Sequence, residues 1–269
     1  MNKKQAVFQT FFRALLLVFV FIPILWGIRT SILFDHNDNS LIPSRISFRT
    51  YVEFLRPGSV FWMAFKNSLF VALSTICVML PIVVMGSYAL GRMEFKGKNM
   101  GKIFLYLPLV PALVLLIPLG GMINRLGLFN HLAGVVLLNT IFLSPFCLWI
   151  LRNFMATIPR SIEEAATLDG CGRIKTLLYI VIPNALPGII TIVVYIFIQS
   201  WLVFLYSYTV INDQMKMAVT QLVQSFIGIY STDYTTLCTF SIIALVPPLI
   251  FFIFFQKWFI AGLFGNLSK

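Results

Sequence analysis

Six long stretches of this sequence carry no charged side chain: Ala14–Ile28, Asn67–Gly91, Ile103–Asn124, Leu126–Leu151, Thr176–Asn212 and Tyr234–Gln256. A helix needs about 20 apolar residues to cross the hydrocarbon core of a bilayer, and all but the first stretch meet that length outright. The first meets it if Arg13 or Arg29 lays its stem among apolar neighbours and reaches the headgroups with its guanidinium. It is too long for a signal peptide and lacks a small-residue cleavage site after it. The pattern predicts an all-α integral membrane protein with six transmembrane helices, forming one domain over residues 1–269. Composition agrees: 59% hydrophobic and 11% charged residues, with a mean hydropathy of +0.92, lie outside the usual range of soluble proteins.

Within that frame two spans stand apart. The third holds Pro108, Pro111, Pro118, Gly120 and Gly121. Prolines are tolerated in a span where neighbours re-satisfy the freed carbonyls, so a kinked helix packed inside the bundle is expected. The fifth, from about Leu186 to Tyr208, is the one with polar content, Gln199, Ser200 and Ser207 beside Trp201, Phe204, Tyr206 and Tyr208. Polar groups inside a bundle face its interior or a water-filled path. Rings with amide and hydroxyl neighbours suit a sugar, which stacks its apolar faces and needs partners for its hydroxyls. Gln199, Ser200, Trp201 and Tyr206, with Asn139 in the fourth span, are therefore candidates for a substrate path, the alternative being an interfacial aromatic belt.

Charge decides orientation. The termini and the even-numbered loops, Arg92–Lys102 and Arg152–Lys175 included, hold 13 basic residues, against 7 in the opposite loops. Lysine and arginine accumulate on the cytoplasmic side, so both termini are expected there. The net charge of +11 then reads as a topology signal and an attraction to anionic membrane lipid, with no nucleic acid as partner. Cys77, Cys147, Cys171 and Cys238 show no CxxC spacing, and His36 among turn-forming aspartates has no second histidine near it. Neither disulfide nor metal site follows.

The passage that departs most from this apolar background is Glu163–Pro183, EEAATLDGCGRIKTLLYIVIP. Ser161 to Glu164 reads as a capping box, with Pro159 just upstream and acidic side chains in the first turn. Ala165 and Ala166 favour helix, and Gly170 suits the left-handed residue that ends one. A second helical run begins at Arg173 and leads to Pro183. A two-turn helix with a small-residue face can lie in a groove of another protein, or the passage can rest on lipid headgroups.

Glu164, Ala165, Ala166, Gly170, Ile180 and Pro183 stand at the spacing of the E-A-A-x-x-x-G…I-x-L-P motif, so the chain resembles the membrane subunits of ABC-type importers. Ile182 replaces the usual leucine. Tyr88, Ala89, Leu90, Arg92, Phe95, Gly97 and Lys98 resemble the Y-A-L-x-R-x-x-F-x-G-[RK] that closes the second span of carbohydrate-importer permeases. Gln256, Lys257, Trp258, Phe259, Gly262 and Leu263 resemble that family's tail. Where many relatives have W-N-[DE]-F, this chain has Trp201, Leu202, Val203 and Phe204. The likeness runs from about Ser47 to the end and is nearest to the second permease subunit of maltose-type importers.

This resemblance implies a cytoplasmic coupling helix at about 159–170, with Glu163, Glu164, Ala165, Ala166, Asp169, Gly170, Ile180 and Pro183 serving contact with an ATPase. It implies a second permease subunit completing a heterodimer, two ATPase subunits, and an external solute-binding protein met by Gly228, Tyr230 and Asp233. The setting is a bacterial inner membrane, and the cargo a sugar of the oligosaccharide or disaccharide class. The chain itself has no GxxxxGK[ST], so ATP and Mg belong to the partners and this subunit is not an enzyme. It has no charged dyad in mid-span, which an ion-coupled carrier would use. A non-sugar solute such as glycerol phosphate, and a secondary carrier, remain the alternatives.

Overall fold

The computed structural model describes residues 3–34, 38, 40–96, 98, 101, 104, 106–227 and 233–264. Its principal helices are α1 (Lys3–Ser31), α2 (Arg49–Leu55), α3 (Val60–Arg92), α4 (Ala112–Arg125), α5 (Leu132–Ala156), α6 (Arg160–Leu168), α7 (Arg173–Asn184), α8 (Leu186–Trp201), α9 (Leu205–Val210) and α10 (Tyr234–Phe264). No strand forms among the described residues beyond a single antiparallel bridge between Leu33 and Ile46. Four helices are long and apolar enough to cross a bilayer, namely the α1 segment Phe11–Ser31, α3, α5 and the α10 segment Tyr234–Phe259. The bent pair α7 and α8 makes a fifth if it is counted as one span. Backbone donors and acceptors have no water to bond in hydrocarbon, which is why apolar runs of this length resolve into helices.

The third predicted span departs from expectation. In place of one kinked helix there is a 3₁₀ turn at Leu107–Leu109, a break, and then α4, at 14 residues too short to cross alone. The residue before a proline is driven to extended backbone, and Val110, ahead of Pro111, has ψ 124°. Nor is α4 enclosed in the bundle: Leu116 and Ile123 are buried, while Leu113, Val114 and Ile117 are exposed.

The chain divides into two compact units. The first comprises residues 1–62 and 222–246. Phe54, Phe61, Phe226 and Phe240 form a ring cluster with centroids 5.2 to 6.1 Å apart, and the Thr239 hydroxyl donates to the Ser31 carbonyl at 2.9 Å. Asp38 accepts from Ser40 and Ser44, and these bonds hold its carboxyl well below the usual range.

The second unit comprises residues 63–221 and 247–269. One apolar cluster packs Met79 and Val83 of α3, Cys147 and Leu151 of α5, Val181 of α7 and Ile192 of α8. Another joins Val71, Leu116, Ile123, Leu138 and Val210. Between α3 and α5 the backbones approach through small residues, as helices do where hydrophobic driving force is weak. A Cβ at Gly86 would stand 2.8 Å from Leu148.

The fifth predicted span is also divided. Its helix ends at Trp201, and Tyr206 and Tyr208 lie on the separate α9. The break is tolerated because side chains reach the backbone it frees. Thr220 donates its hydroxyl to the Val203 carbonyl in the break; where α9 ends, buried Gln221 donates to the Ile211 carbonyl at 2.9 Å while accepting from the Ser207 hydroxyl at 2.8 Å.

A Cβ at Gly134 would lie 2.7 Å from the Leu128 carbonyl, a backbone atom that cannot rotate away. Gly134→Ala should cost about 1–3 kcal/mol of stability. Gly121→Ala, in a helix with open space around it, should stabilise by up to about 1 kcal/mol. Thermal unfolding in detergent micelles separates the two.

Candidate functional site: the α6 helix and its clamp

The α6 helix begins two residues earlier than a capping box at Ser161 requires. Pro159 occupies the N-cap with φ −58° and ψ 133°, no side chain caps the start, and Ser161 falls inside the first turn. The cause lies just upstream: Ile158 is buried and Arg92 takes its carbonyl, so the chain must turn at Pro159. The other end follows expectation. Gly170 has φ +82°, its N–H bonds the Thr167 carbonyl at 3.1 Å, and the Cys171 N–H bonds the Ala166 carbonyl at 2.9 Å. This is the paired Schellman closure, which needs a left-handed residue and so favours glycine.

The helix has two faces. Glu163 and Ala166, three residues apart, turn toward the protein, and Ala166 is buried. Ser161, Glu164, Ala165 and Leu168, on the i, i+3, i+4, i+7 spacing, turn away, and Leu168 is 89% exposed. Asp169 and Gly170 are exposed as well. Of the two alanines, then, Ala165 is presented outward while Ala166 lies against this chain, whose α7 runs alongside.

Glu163 sits in a polar clamp. Arg92, the last residue of α3, brings its Nε within 3.2 Å of Glu163 Oε1, with the two side chains 6% and 16% exposed. Tyr88, one turn earlier on α3, donates its hydroxyl to Glu163 Oε2 at 3.1 Å. An Arg92 Nη2 hydrogen bond goes to each of the carbonyls of Met155 and Ile158, at the C-terminal end of α5. A cation there also complements the negative end of the helix dipole. The Nε–Oε1 contact is ionic, since neither atom completes a hydrogen bond. At this burial solvent screens it much less than a surface pair.

Beyond Gly172 the chain enters α7, which opens to π geometry over Leu177–Val181 ahead of Pro183. Proline supplies no N–H, and a widened turn accommodates that loss. Ile180 is half-buried and Pro183 exposed. At Ala185 the path bends by 78° into α8.

The polar candidates are scattered. Gln199 is exposed, Ser200 is buried with a hydroxyl that finds no hydrogen-bond partner among the described residues, and Trp201 is 1% exposed with its ring against Phe65 and Phe197. Asn139 is buried beside Thr75, its Nδ2 3.5 Å from the Thr75 hydroxyl. Tyr206 stacks on Phe142 with centroids 4.7 Å apart. Asp233 is exposed and caps α10 through the Thr236 N–H at 3.0 Å, whereas Gly228 and Tyr230 lie outside the described residues. Sequence reasoning missed the joining of Arg92 to Glu163 and the exposure of Leu168. The helical period could have found Leu168, two turns on from Ser161. No local signal links residue 92 to residue 163.

Residues 58–264 match the family profile described as binding-protein-dependent transport system inner membrane component. The chain belongs to that family. Members are inner-membrane permease subunits, and this one is accordingly a multi-pass membrane protein. Its relatives include the trehalose transport system permease protein SugB of Mycobacterium tuberculosis, 27% identical with 100% of both chains covered. The arabinooligosaccharides transport system permease protein AraQ of Bacillus subtilis is 29% identical over 82% of this chain and 78% of that one. The trehalose/maltose transport system permease protein MalG of Thermococcus litoralis is 27% identical over 95% and 94%. Among solved structures, a bacterial ABC transporter that imports the acidic polysaccharide alginate superposes with a TM-score of 0.77 at 21% identity, covering 96% of this chain and 99% of that one. The MetNI methionine ABC transporter superposes with a TM-score of 0.54 at 17% identity, covering 75% and 93%. These likenesses place the helices in the fold of ABC transporter permeases.

At Gly170 a side chain would meet no atom within 4 Å but would be held at φ +82°. Gly170→Ala should therefore cost about 1–2 kcal/mol through the left-handed backbone alone. Faster hydrogen exchange at the Gly170 and Cys171 amides, with exchange in α5 unchanged, would register the loosened closure.

Proposed function

We propose that the chain is the transmembrane subunit of a binding-protein-dependent ABC importer that moves a sugar of the disaccharide or oligosaccharide class by ATP-driven alternating access. The observation that carries this reading is the naming of the relatives: trehalose, maltose and arabinooligosaccharide permeases match over most or all of their length. The fold by itself does not select a sugar, since a methionine transporter shares it.

In this reading residues 1–269 form one transmembrane domain with both termini in the cytoplasm. The basic loops and α6 then lie on the cytoplasmic side. A second permease subunit completes the path, two ATPase subunits carry ATP and Mg, and an external solute-binding protein delivers the sugar. The alginate system offers a parallel, having been crystallised with a pentasaccharide-bound periplasmic protein.

The outward face of α6 is the docking surface for an ATPase. Leu168 is the apolar anchor, Ala165 lets the partner approach closely, and Glu164 offers a charge to a basic residue of the cleft. Closure of the ATPases displaces α6, and the bundle changes its open side as a rigid body. Gln199, Asn139 and Tyr206 are the side chains offered to the cargo.

The test is uptake of radiolabelled disaccharide into proteoliposomes holding the assembled complex. Ala166→Trp cannot fit the buried position, and Gly170→Pro cannot adopt the required φ. Each should cut ATP-dependent uptake at least tenfold while the subunit still inserts into membranes. Unchanged uptake with both would sink the coupling role. Transport by this subunit alone down an ion gradient would instead make it a secondary carrier.

A further inference from the structure

We infer that Arg92 is the positioning residue that makes the end of α3 move as one body with α6 and the end of α5, so that force applied to α6 reaches the second span through this side chain. The inference rests on α6 being the surface an ATPase pushes.

Four connections lead away from α6. Upstream the chain joins it to α5 through Thr157, Ile158 and Pro159, with Ile158 buried in the core. Toward α7 the chain passes through Asp169–Gly172, where the positions of both Gly170 and Gly172 have open space around them. Such a segment transmits displacement poorly, because no packing opposes a change in its dihedrals. Where α6 lies along α7 its one buried side chain is Ala166, a smooth contact without directional bonds. The fourth connection is Arg92. It holds Glu163 by charge, and hydrogen bonds fix it to the carbonyls of Met155 and Ile158. Tyr88 adds a second hold on Glu163 from the same helix, 3.1 Å away. A guanidinium has a planar fork of donors, so it can face a carboxylate and helix-end carbonyls together; an ammonium is a single point and cannot. Because the pair is mostly enclosed, water competes weakly for it. Of the four, this is the one that reaches α3, and among the described residues it does so by directional, buried contacts.

The experiment uses the whole complex in proteoliposomes, with Cys77, Cys147, Cys171 and Cys238 replaced by serine or alanine and spin labels placed at Thr167→Cys, beside the docking face, and Glu94→Cys. With Arg92 present, the label separation should agree within about 2 Å between the nucleotide-free and the ATP-trapped states. With Arg92→Met, the distribution should broaden or shift between the states, and sugar carried per ATP hydrolysed should fall at least fivefold. Arg92→Lys should recover less than half of the loss. Glu163→Gln keeps a polar partner and serves if Arg92→Met fails to assemble; it should show the same loss in milder form. Arg92→Met and Glu163→Gln with unchanged separation and an unchanged sugar-to-ATP ratio would overturn the inference. Leu168→Asp, tested beside them, addresses the underlying reading. If it leaves uptake intact, the docking role of α6 fails; if it abolishes uptake while the clamp variants do nothing, only the Arg92 inference fails.

Discussion

The constraint on which this protein depends is the lack of water in the bilayer core, which obliges every backbone donor and acceptor to find a partner within the protein. Long apolar runs meet that demand as helices. Where the helices break, other groups take over: Thr220 reaches the Val203 carbonyl in the interruption between α8 and α9, and Gln221 the Ile211 carbonyl where α9 ends. At the bend near Ala185, the Ala185 N–H still returns to the Val181 carbonyl at 2.8 Å. Breaks thus occur where side chains or a widened turn can satisfy the backbone.

The same constraint explains why charge is kept away from the middle of the membrane-spanning helices. Arg92 stands at the last residue of α3, with its charge answered by Glu163 and its Nη2 hydrogen-bonded to the carbonyls of Met155 and Ile158 at the end of α5. A buried pair of this kind contributes little net stability over an apolar substitute, since desolvation offsets attraction. What it supplies is geometry, since it fixes α6 to two spans at a defined angle.

The α6 region therefore combines opposed mechanical properties. Its inner face is tied by directional polar bonds, its C-terminal link runs through glycines in open space, and its outer face presents an exposed leucine beside a small residue. A partner that grips Leu168 acts on a helix already fastened to the bundle. The family to which the chain belongs is that of binding-protein-dependent transport systems.

Much of this was legible in the amino-acid order. Span positions follow from charge-free length, because burying an unpaired charge in hydrocarbon is costly. The closure at Gly170 follows from local backbone preference, and the importer family from the spacing of Glu164, Ala165, Ala166 and Gly170. Local signals failed where a distant contact outweighed them. Ser161 does not cap α6, because Arg92 and a buried Ile158 set the entry two residues earlier. The third span is divided at Val110, where the proline rule governs more strongly than apolar length. The joining of residue 92 to residue 163, and the choice of Ala166 rather than Ala165 for the inner face, were decided by tertiary packing alone. Periodicity defines the faces of a helix, but which face turns inward depends on what the rest of the chain brings against it.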